Sequence, residues 1–156
     1  MSRNPRRAAL AAPLLVASLF LAACSSDSNP GDLKYTQVTL PNGKQMRAET
    51  LYRQLEITRG LMFRQSLPAD EGVLFLHPST GRYQYWTYNG RFPVDIVWMD
   101  QGHRVVEVYP NAQPCKEESA RACPTYGGRH DARYVLEMNA NVAVPNGIRE
   151  GVVLNF

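Results

Sequence analysis

The 156-residue chain lacks the short motifs that mark several large enzyme classes. It contains no Gly-x-Ser-x-Gly nucleophile elbow, no glycine-rich phosphate loop and no His-Glu-x-x-His zinc motif. Histidine and cysteine are scarce, with three of each, and their positions do not match the spacing of a zinc site. These absences argue against serine hydrolases, nucleotide-binding enzymes and zinc peptidases. The sequence therefore predicts no metal, no other cofactor and no catalytic residue.

Acidic residues are absent from the first 23 positions, which carry three arginines. An apolar run over residues 8–20 follows, and it is shorter than the roughly 20 residues that cross a bilayer. This order of basic, apolar and small residues is typical of a secretion signal. Leu21-Ala22-Ala23-Cys24 resembles the lipobox of bacterial lipoproteins. The resemblance implies cleavage before Cys24, thioether lipidation of its side chain and acylation of its amino group.

Net charge is also absent from the predicted mature chain. The first 23 residues hold three of the 17 basic residues and none of the 14 acidic ones, which leaves 14 of each sign. This balance predicts no basic surface and no nucleic-acid partner. We expect the bilayer to be bound through acylated Cys24 instead. The predicted location is the bacterial cell envelope, facing the periplasm, and Ser25 favours the outer membrane in a Gram-negative host.

A sustained helical period is missing beyond the signal, and short β-rich segments alternate with turn residues. Asn42-Gly43 predicts a hairpin, and Gln101-Gly102 predicts a second one. We therefore predict an all-β fold, a compact sandwich or jelly-roll-like barrel of eight to ten strands with one or two helical turns. One helical turn is expected over 58–64, and the ranges expected to be extended are 45–57, 82–88 and 152–156.

Three regions follow from these patterns. Residues 1–23 form the predicted lipoprotein signal peptide, and residues 33–156 form a single β domain. Residues 24–32 between them are small and polar, which predicts a lipidated flexible tether. The reach of such a tether is about 15 Å, so the domain would lie close to the bilayer.

Two cysteines remain once Cys24 is assigned to lipidation. A disulfide between Cys115 and Cys123 is the favoured prediction for an exported chain. A zinc site would need further ligands at suitable spacing, and a redox pair is usually Cys-x-x-Cys. The disulfide would also explain how a polar stretch as long as 111–131 stays ordered.

An ordered set of motifs runs through the rest of the chain: Arg59-Gly60-Leu61-Met62-Phe63-Arg64, Gly72-Val73-Leu74-Phe75, Tyr85-Trp86, Pro93-Val94-Asp95-Ile96, Pro114-Cys115, Cys123, Tyr134-Val135-Leu136-Glu137, Gly147-Ile148 and Gly151. Over residues 48–156 they resemble a bacterial and archaeal family called domain of unknown function 192. The resemblance implies a mostly β, jelly-roll-type sandwich and supplies no activity. Typical members read Trp-Met-Lys-Asn-Thr where this chain has Trp86-Thr87-Tyr88-Asn89-Gly90.

Asp95 is the most unusual acid, because it lies in the apolar segment 94–99 on the same face as Val97 and Met99. A carboxylate there must find partners or shift its pKa. Arg59 and Arg64 are the candidate partners. Three alternatives stay open: the floor of a ligand pocket, a structural Asp-Arg pair, and a carboxylate that backbone amides satisfy.

Trp86 lies among three tyrosines, which is typical of a saccharide-stacking platform or of core packing. The candidate ligand pocket accordingly comprises Arg59, Arg64, Trp86 and Asp95. Five acids provide candidates for a glycosidase-like pair, and nothing in the sequence selects two of them: Glu71, Asp95, Asp100, Glu107 and Glu137. His77 is predicted to be an ordinary surface residue.

Together these patterns favour a membrane-anchored envelope lipoprotein that acts as a non-catalytic binding or accessory domain. Its partner beyond the bilayer would be an envelope glycan or protein. The alternative is an envelope hydrolase that acts on a glycan or an ester.

Overall fold

The computed structural model describes Met1 and residues 34–156, so the predicted signal, Cys24 and the tether lie outside the described residues. The described part contains eight strands and one α-helix: β1 (Tyr35–Thr39), β2 (Gln45–Leu51), α1 (Gln54–Arg59), β3 (Glu71–Gly81), β4 (Gln84–Tyr85), β5 (Val94–Met99), β6 (Val105–Ala112), β7 (Tyr126–Gly127) and β8 (Ala132–Asn139). Two 3-10 turns lie at Ala120–Ala122 and Val144–Asn146. The all-β prediction is confirmed. No helix in this part is long and apolar enough to cross a bilayer.

Six strands form one mixed sheet in the order β1-β2-β3-β8-β5-β6, and β4 pairs with β7 in a small second sheet. Only β2 and β3 are parallel, because α1 and its following loop return the chain to the same edge. The other described pairs are antiparallel. Neither sheet closes on itself, so the sandwich description fits and the barrel description does not.

Both predicted hairpins are present. Between β1 and β2, Gly43 has a φ of +85°, and the Leu40 amide donates to the Lys44 carbonyl at 2.9 Å. A positive φ is accessible to glycine at no steric cost, which explains the turn. The β5–β6 hairpin closes where the Gly102 and Arg104 amides both donate to Asp100 Oδ1.

Three element boundaries differ from the prediction. The segment predicted as extended over 45–57 ends as a strand at Leu51, and helix α1 begins at Gln54, four residues before the predicted turn. Leu55 is 85% exposed, so the alternation that would place it on the same strand face as Leu51 does not mark a core strand here. The segment 82–88 pairs at β4 and at an isolated bridge between Tyr88 and Cys115, and 152–156 makes only isolated bridges.

Both faces of the six-stranded sheet are covered, and β5 is therefore buried along its whole length. Side chains alternate between the two faces. The α1 face carries Val73, Phe75, Ile96, Trp98 and Val135, which pack with Ile57, Leu61 and Tyr85. The C-terminal face carries Leu74, Val97, Met99, Leu136 and Met138, which pack with Ala143, Ile148 and Leu154.

Candidate ligand-binding cleft

A cleft of about 280 Å³ opens on the α1 face of the sheet. Small-molecule sites begin at roughly 300 Å³, so the cleft suits a small ligand. Phe75, Val94 and Glu137 contribute its floor, from β3, β5 and β8. One wall is formed by α1 and the residues that follow it, and the other by residues 83–88 and 90–92.

Glu137 is the carboxylate at the floor of the cleft. It lies between Val73 of β3 and Ile96 of β5 in the strand register, so apolar neighbours flank it on both sides. Its side chain is 5% exposed and makes no hydrogen bond to another described residue, and neither oxygen is sealed away from the cleft. Burial raises the pKa of Glu137 to about 8, against the opposing charge of Arg64. Glu137 is thus largely protonated at neutral pH.

Aromatic rings form most of the apolar lining. The Tyr85 ring meets Phe75 edge-on at 5.1 Å between centroids and Trp98 edge-on at 6.0 Å. The Trp98 indole N–H donates to the Tyr83 carbonyl at 2.9 Å. Edge-to-face packing of this kind fixes ring orientation. The wall is therefore held against the core.

His77 belongs to the cleft, contrary to its predicted place on the surface. Its ring stacks on Tyr83 at 3.4 Å between centroids, and its Nε2 is hydrogen-bonded to the Tyr85 hydroxyl at 2.9 Å. Burial, together with the positive charge of Arg133, lowers the pKa of His77 to about 4. The ring is consequently neutral, and one nitrogen is already engaged.

Gly60 lets the α1 wall approach the floor of the cleft. It ends α1 with a φ of +43°, and its amide donates to the Glu56 carbonyl at 2.8 Å. A Cβ at this position would lie 3.1 Å from Cζ of Phe75. Glycine thus meets both a backbone and a packing requirement.

The segment that contains the disulfide is hydrogen-bonded to the aromatic wall of the cleft, which is formed by residues 83–88 and 90–92. Cys115 and Cys123 are joined, as predicted, with their Cα atoms 5.8 Å apart. The Cys115 amide donates to the Thr87 carbonyl at 3.1 Å, and the Thr87 hydroxyl donates to the Gln113 carbonyl at 2.6 Å. Farther along, β7 pairs with β4. The wall is therefore attached to a covalently closed loop.

Of the predicted pocket residues, Arg59 and Trp86 both line the cleft. Trp86 is 40% exposed, so its ring is accessible to a ligand. Arg64 lies instead in an adjoining cavity of about 310 Å³, where its Nη2 is 2.7 Å from Glu49 Oε2. Arg59, Gly60 and Met62 line both cavities.

Asp95 lies on the opposite, C-terminal face, fully buried. Its Oδ1 accepts the amides of Asn111 and Asn141, and its Oδ2 accepts those of Val142 and Ala143, at 2.8 to 3.2 Å. The predicted arginine partner is thus corrected: backbone amides satisfy this carboxylate, which was the third alternative. Asp95 is separated from the cleft by the sheet itself.

Glu137 was among the five acids that the sequence did not distinguish. The other four do not line the cleft. The strand pattern contained a usable signal, because Glu137 follows Val135 on the same face of an otherwise apolar segment. Among the described residues, no group of three or more His, Cys, Asp or Glu side chains is arranged to hold a metal ion.

The comparisons with known proteins agree on a fold and give no activity. The family model for domain of unknown function 192, described as an uncharacterized ACR, matches residues 37–156 and confirms the predicted resemblance. A protein of unknown function from Novosphingobium aromaticivorans DSM 12444 is 28% identical, with a TM-score of 0.70 over 78% of this chain and 85% of that one. A Sinorhizobium meliloti 1021 protein, provisionally described as a transcription regulator, is 23% identical, with a TM-score of 0.67 over 78% and 95%. No curated protein matches the chain.

Proposed function

The chain belongs to the family of domain of unknown function 192, which supplies no activity, and we propose from the cleft that it is a non-catalytic binding domain for a small ligand of the bacterial envelope. The observation that carries the proposal is Glu137, an unpartnered carboxylate beneath aromatic walls. A buried polar group without a partner is costly. Such a group is therefore typical of a site whose partner is a ligand.

The hydrolase alternative has less support in the geometry. Glycosidases generally use two carboxyl groups roughly 5 to 9.5 Å apart. Glu137 is the one carboxylate among the described residues that line the cleft. His77, the one histidine in that lining, is engaged with Tyr85. These residues can bind and orient a ligand, and they do not supply an acid-base pair.

The proposed location depends on lipidation of Cys24. Tyr35, where β1 begins, shares a strand register row with Glu49, Val73 and Glu137. The described chain thus enters the sheet at the level of the cleft, three residues after the end of the predicted tether of residues 24–32. With a tether reach of about 15 Å, the cleft would stay near the bilayer.

Binding is tested by tryptophan fluorescence during titration with envelope mono- and disaccharides. Trp98 is fully buried, whereas Trp86 is exposed at the cleft, so a ligand should change the signal of Trp86. We expect a saturable change that Glu137→Gln weakens. Trp86→Ala removes the reporter, so its binding is measured by calorimetry and should be weaker than that of the parent. Tyr52→Ala is the matched control, since Tyr52 is 58% exposed and lies outside the lining.

Catalysis is tested in parallel with chromogenic glycosides and esters. The proposed function predicts no turnover above that of buffer. Turnover that Glu137→Gln abolishes would establish the hydrolase alternative in its place.

Anchoring is tested separately by Cys24→Ser and radiolabelled palmitate. We expect the parent protein to incorporate label and to fractionate with the outer membrane of a Gram-negative host. The variant should carry no label and be uncleaved or soluble. Membrane retention of an unlabelled parent would contradict lipidation.

A further inference from the structure

Glu137 shares its cleft with a set of aromatic side chains. Six aromatic side chains line the same cleft: Phe75, Tyr83, Tyr85, Trp86, Tyr88 and Phe92. The face of an aromatic ring carries the negative lobe of its quadrupole, and rings with accessible faces bind ligand cations, ammonium groups above all. Once ionised, the carboxylate of Glu137 adds a full negative charge to the same preference.

We infer that the cleft takes an organic cation, a primary or methylated ammonium group on a short apolar stem, whose charge pairs with Glu137. The stem would pack on the aromatic wall, where Trp86 is the accessible ring. This inference rests on the proposed binding function and adds the class of ligand to it. It requires that no protein cation already occupies the carboxylate.

None of the three described arginines in or beside the cleft forms an ion pair with Glu137. Arg64, whose charge acts on Glu137, is held by Glu49 at 2.7 Å and lies outside the cleft lining. Arg91 Nη1 donates to Gln65 Oε1 at 2.8 Å. Arg59 lines both cavities and forms no ion pair with Glu137, whose pKa responds to the charge of Arg64 alone among the arginines.

The other groups packed around Glu137 carry no charge near neutral pH. His77 on β3 is neutral because its pKa is about 4. Burial raises the pKa of Tyr85 on β4 well above its ordinary range. The register neighbours, Val73 on β3 and Ile96 on β5, are apolar. A ligand cation would therefore be the group that pairs with Glu137.

The experiment compares charged probes with neutral probes of the same shape. The full chain, purified in detergent, is titrated with n-butylammonium chloride and with n-butanol, with tryptophan fluorescence as the signal. D-glucosamine and N-acetylglucosamine form a second pair at pH 7, which tests whether an amino sugar can supply the ammonium group. We expect each amine to bind at least tenfold more tightly than its neutral partner.

The dependence on pH gives a second and independent readout. An ammonium group pairs with ionised Glu137, so the proton must leave before binding. Affinity for n-butylammonium should therefore rise by about tenfold per pH unit up to pH 8 and then level off, because this probe keeps its own charge throughout that range. Affinity for n-butanol should not rise.

Variants test whether the preference for amines and the rise of affinity with pH both depend on Glu137. Glu137→Gln should abolish the preference for amines and the rise with pH, while melting at or above the temperature of the parent. Glu117→Gln makes the same chemical change at an exposed position outside the lining and should leave both unchanged. If neutral sugars bind and amines bind no more tightly, the cation inference fails and the proposed binding function stands. If no probe of either kind binds, both fail.

Discussion

Asp95 Oδ2 accepts the backbone amide of Ala143 at 2.8 Å, across 48 residues of sequence. The same carboxylate accepts the amides of Asn111, Asn141 and Val142. An ionised carboxylate has only acceptor sites, and here it meets four donors. Charge-assisted bonds of this kind are about twice as strong as neutral ones. Asp95 therefore connects β5 to the end of β6 and to the segment after β8.

Replacement of Asp95 by Asn should destabilise the fold by about 3 kcal/mol. The new amide group would direct its N–H donors at backbone N–H donors, inside a fully buried site. Urea denaturation measures the loss. Asp131→Asn is the matched control, because Asp131 is exposed and its pair with Arg82 at 3.7 Å should contribute little. Equal midpoints for parent and Asp95→Asn would contradict this account of the carboxylate.

The sequence could predict the burial and the face of Asp95, because alternation along 94–99 places it with Val97 and Met99. It could not predict the partners. Backbone amides are the same at every residue except proline, so they leave no side-chain pattern to read. A search for partners in the sequence therefore favours arginines, whereas in the structure Arg64 pairs with Glu49.

The fold and the cleft divide in the same way: features set by a local pattern were predictable, and contacts between distant segments were not. The hairpin at Asn42-Gly43 was predictable because a local φ requirement selects glycine, and the disulfide was predictable from the expected export of the chain and the number of cysteines. Helix α1 is too short to show a period. Glu137 is buried between strands that are distant in sequence, with Val73 and Ile96 on its two sides. Its place at the floor of the cleft could therefore not be predicted from its own segment.

Gly60→Ala should destabilise the domain more than Gly43→Ala. Both glycines have positive φ, so both substitutions incur a backbone cost of about 1 kcal/mol. Only at Gly60 would the new methyl group press on the Phe75 ring, whereas Gly43 has no atom within 4 Å. We expect roughly 1 to 3 kcal/mol more for Gly60→Ala, measured by thermal or urea unfolding. Similar losses for the two variants would show that the wall moves freely away from the floor.

Removal of the disulfide should weaken both stability and ligand binding. On the chain-entropy model, a loop of this size contributes about 2.5 kcal/mol. The double variant Cys115→Ser and Cys123→Ser should therefore unfold at lower urea concentration. It should also bind probes less tightly, because Thr87 in the aromatic wall is hydrogen-bonded to Gln113 and Cys115.

Intact mass with and without reductant, after alkylation, checks the bond itself in the exported protein. Cys24→Ser serves as the control that leaves the pair untouched. Two alkylated thiols in the unreduced parent would contradict the pairing.

Glu137→Gln should stabilise the domain, and the gain should grow with pH. The pKa of Glu137 is raised from 4.5 to about 8, so the folded state binds the proton more tightly than the unfolded state does. The stability of the parent is therefore fully present below pH 4.5 and is progressively lost up to pH 8. At pH 7 the loss amounts to roughly 3 kcal/mol. Glutamine mimics the protonated form and does not titrate, so urea midpoints of the two proteins should be similar near pH 4.5 and diverge toward pH 8. A difference that stays constant over this range would mean that burial does not raise the pKa of Glu137 above its value in the unfolded chain.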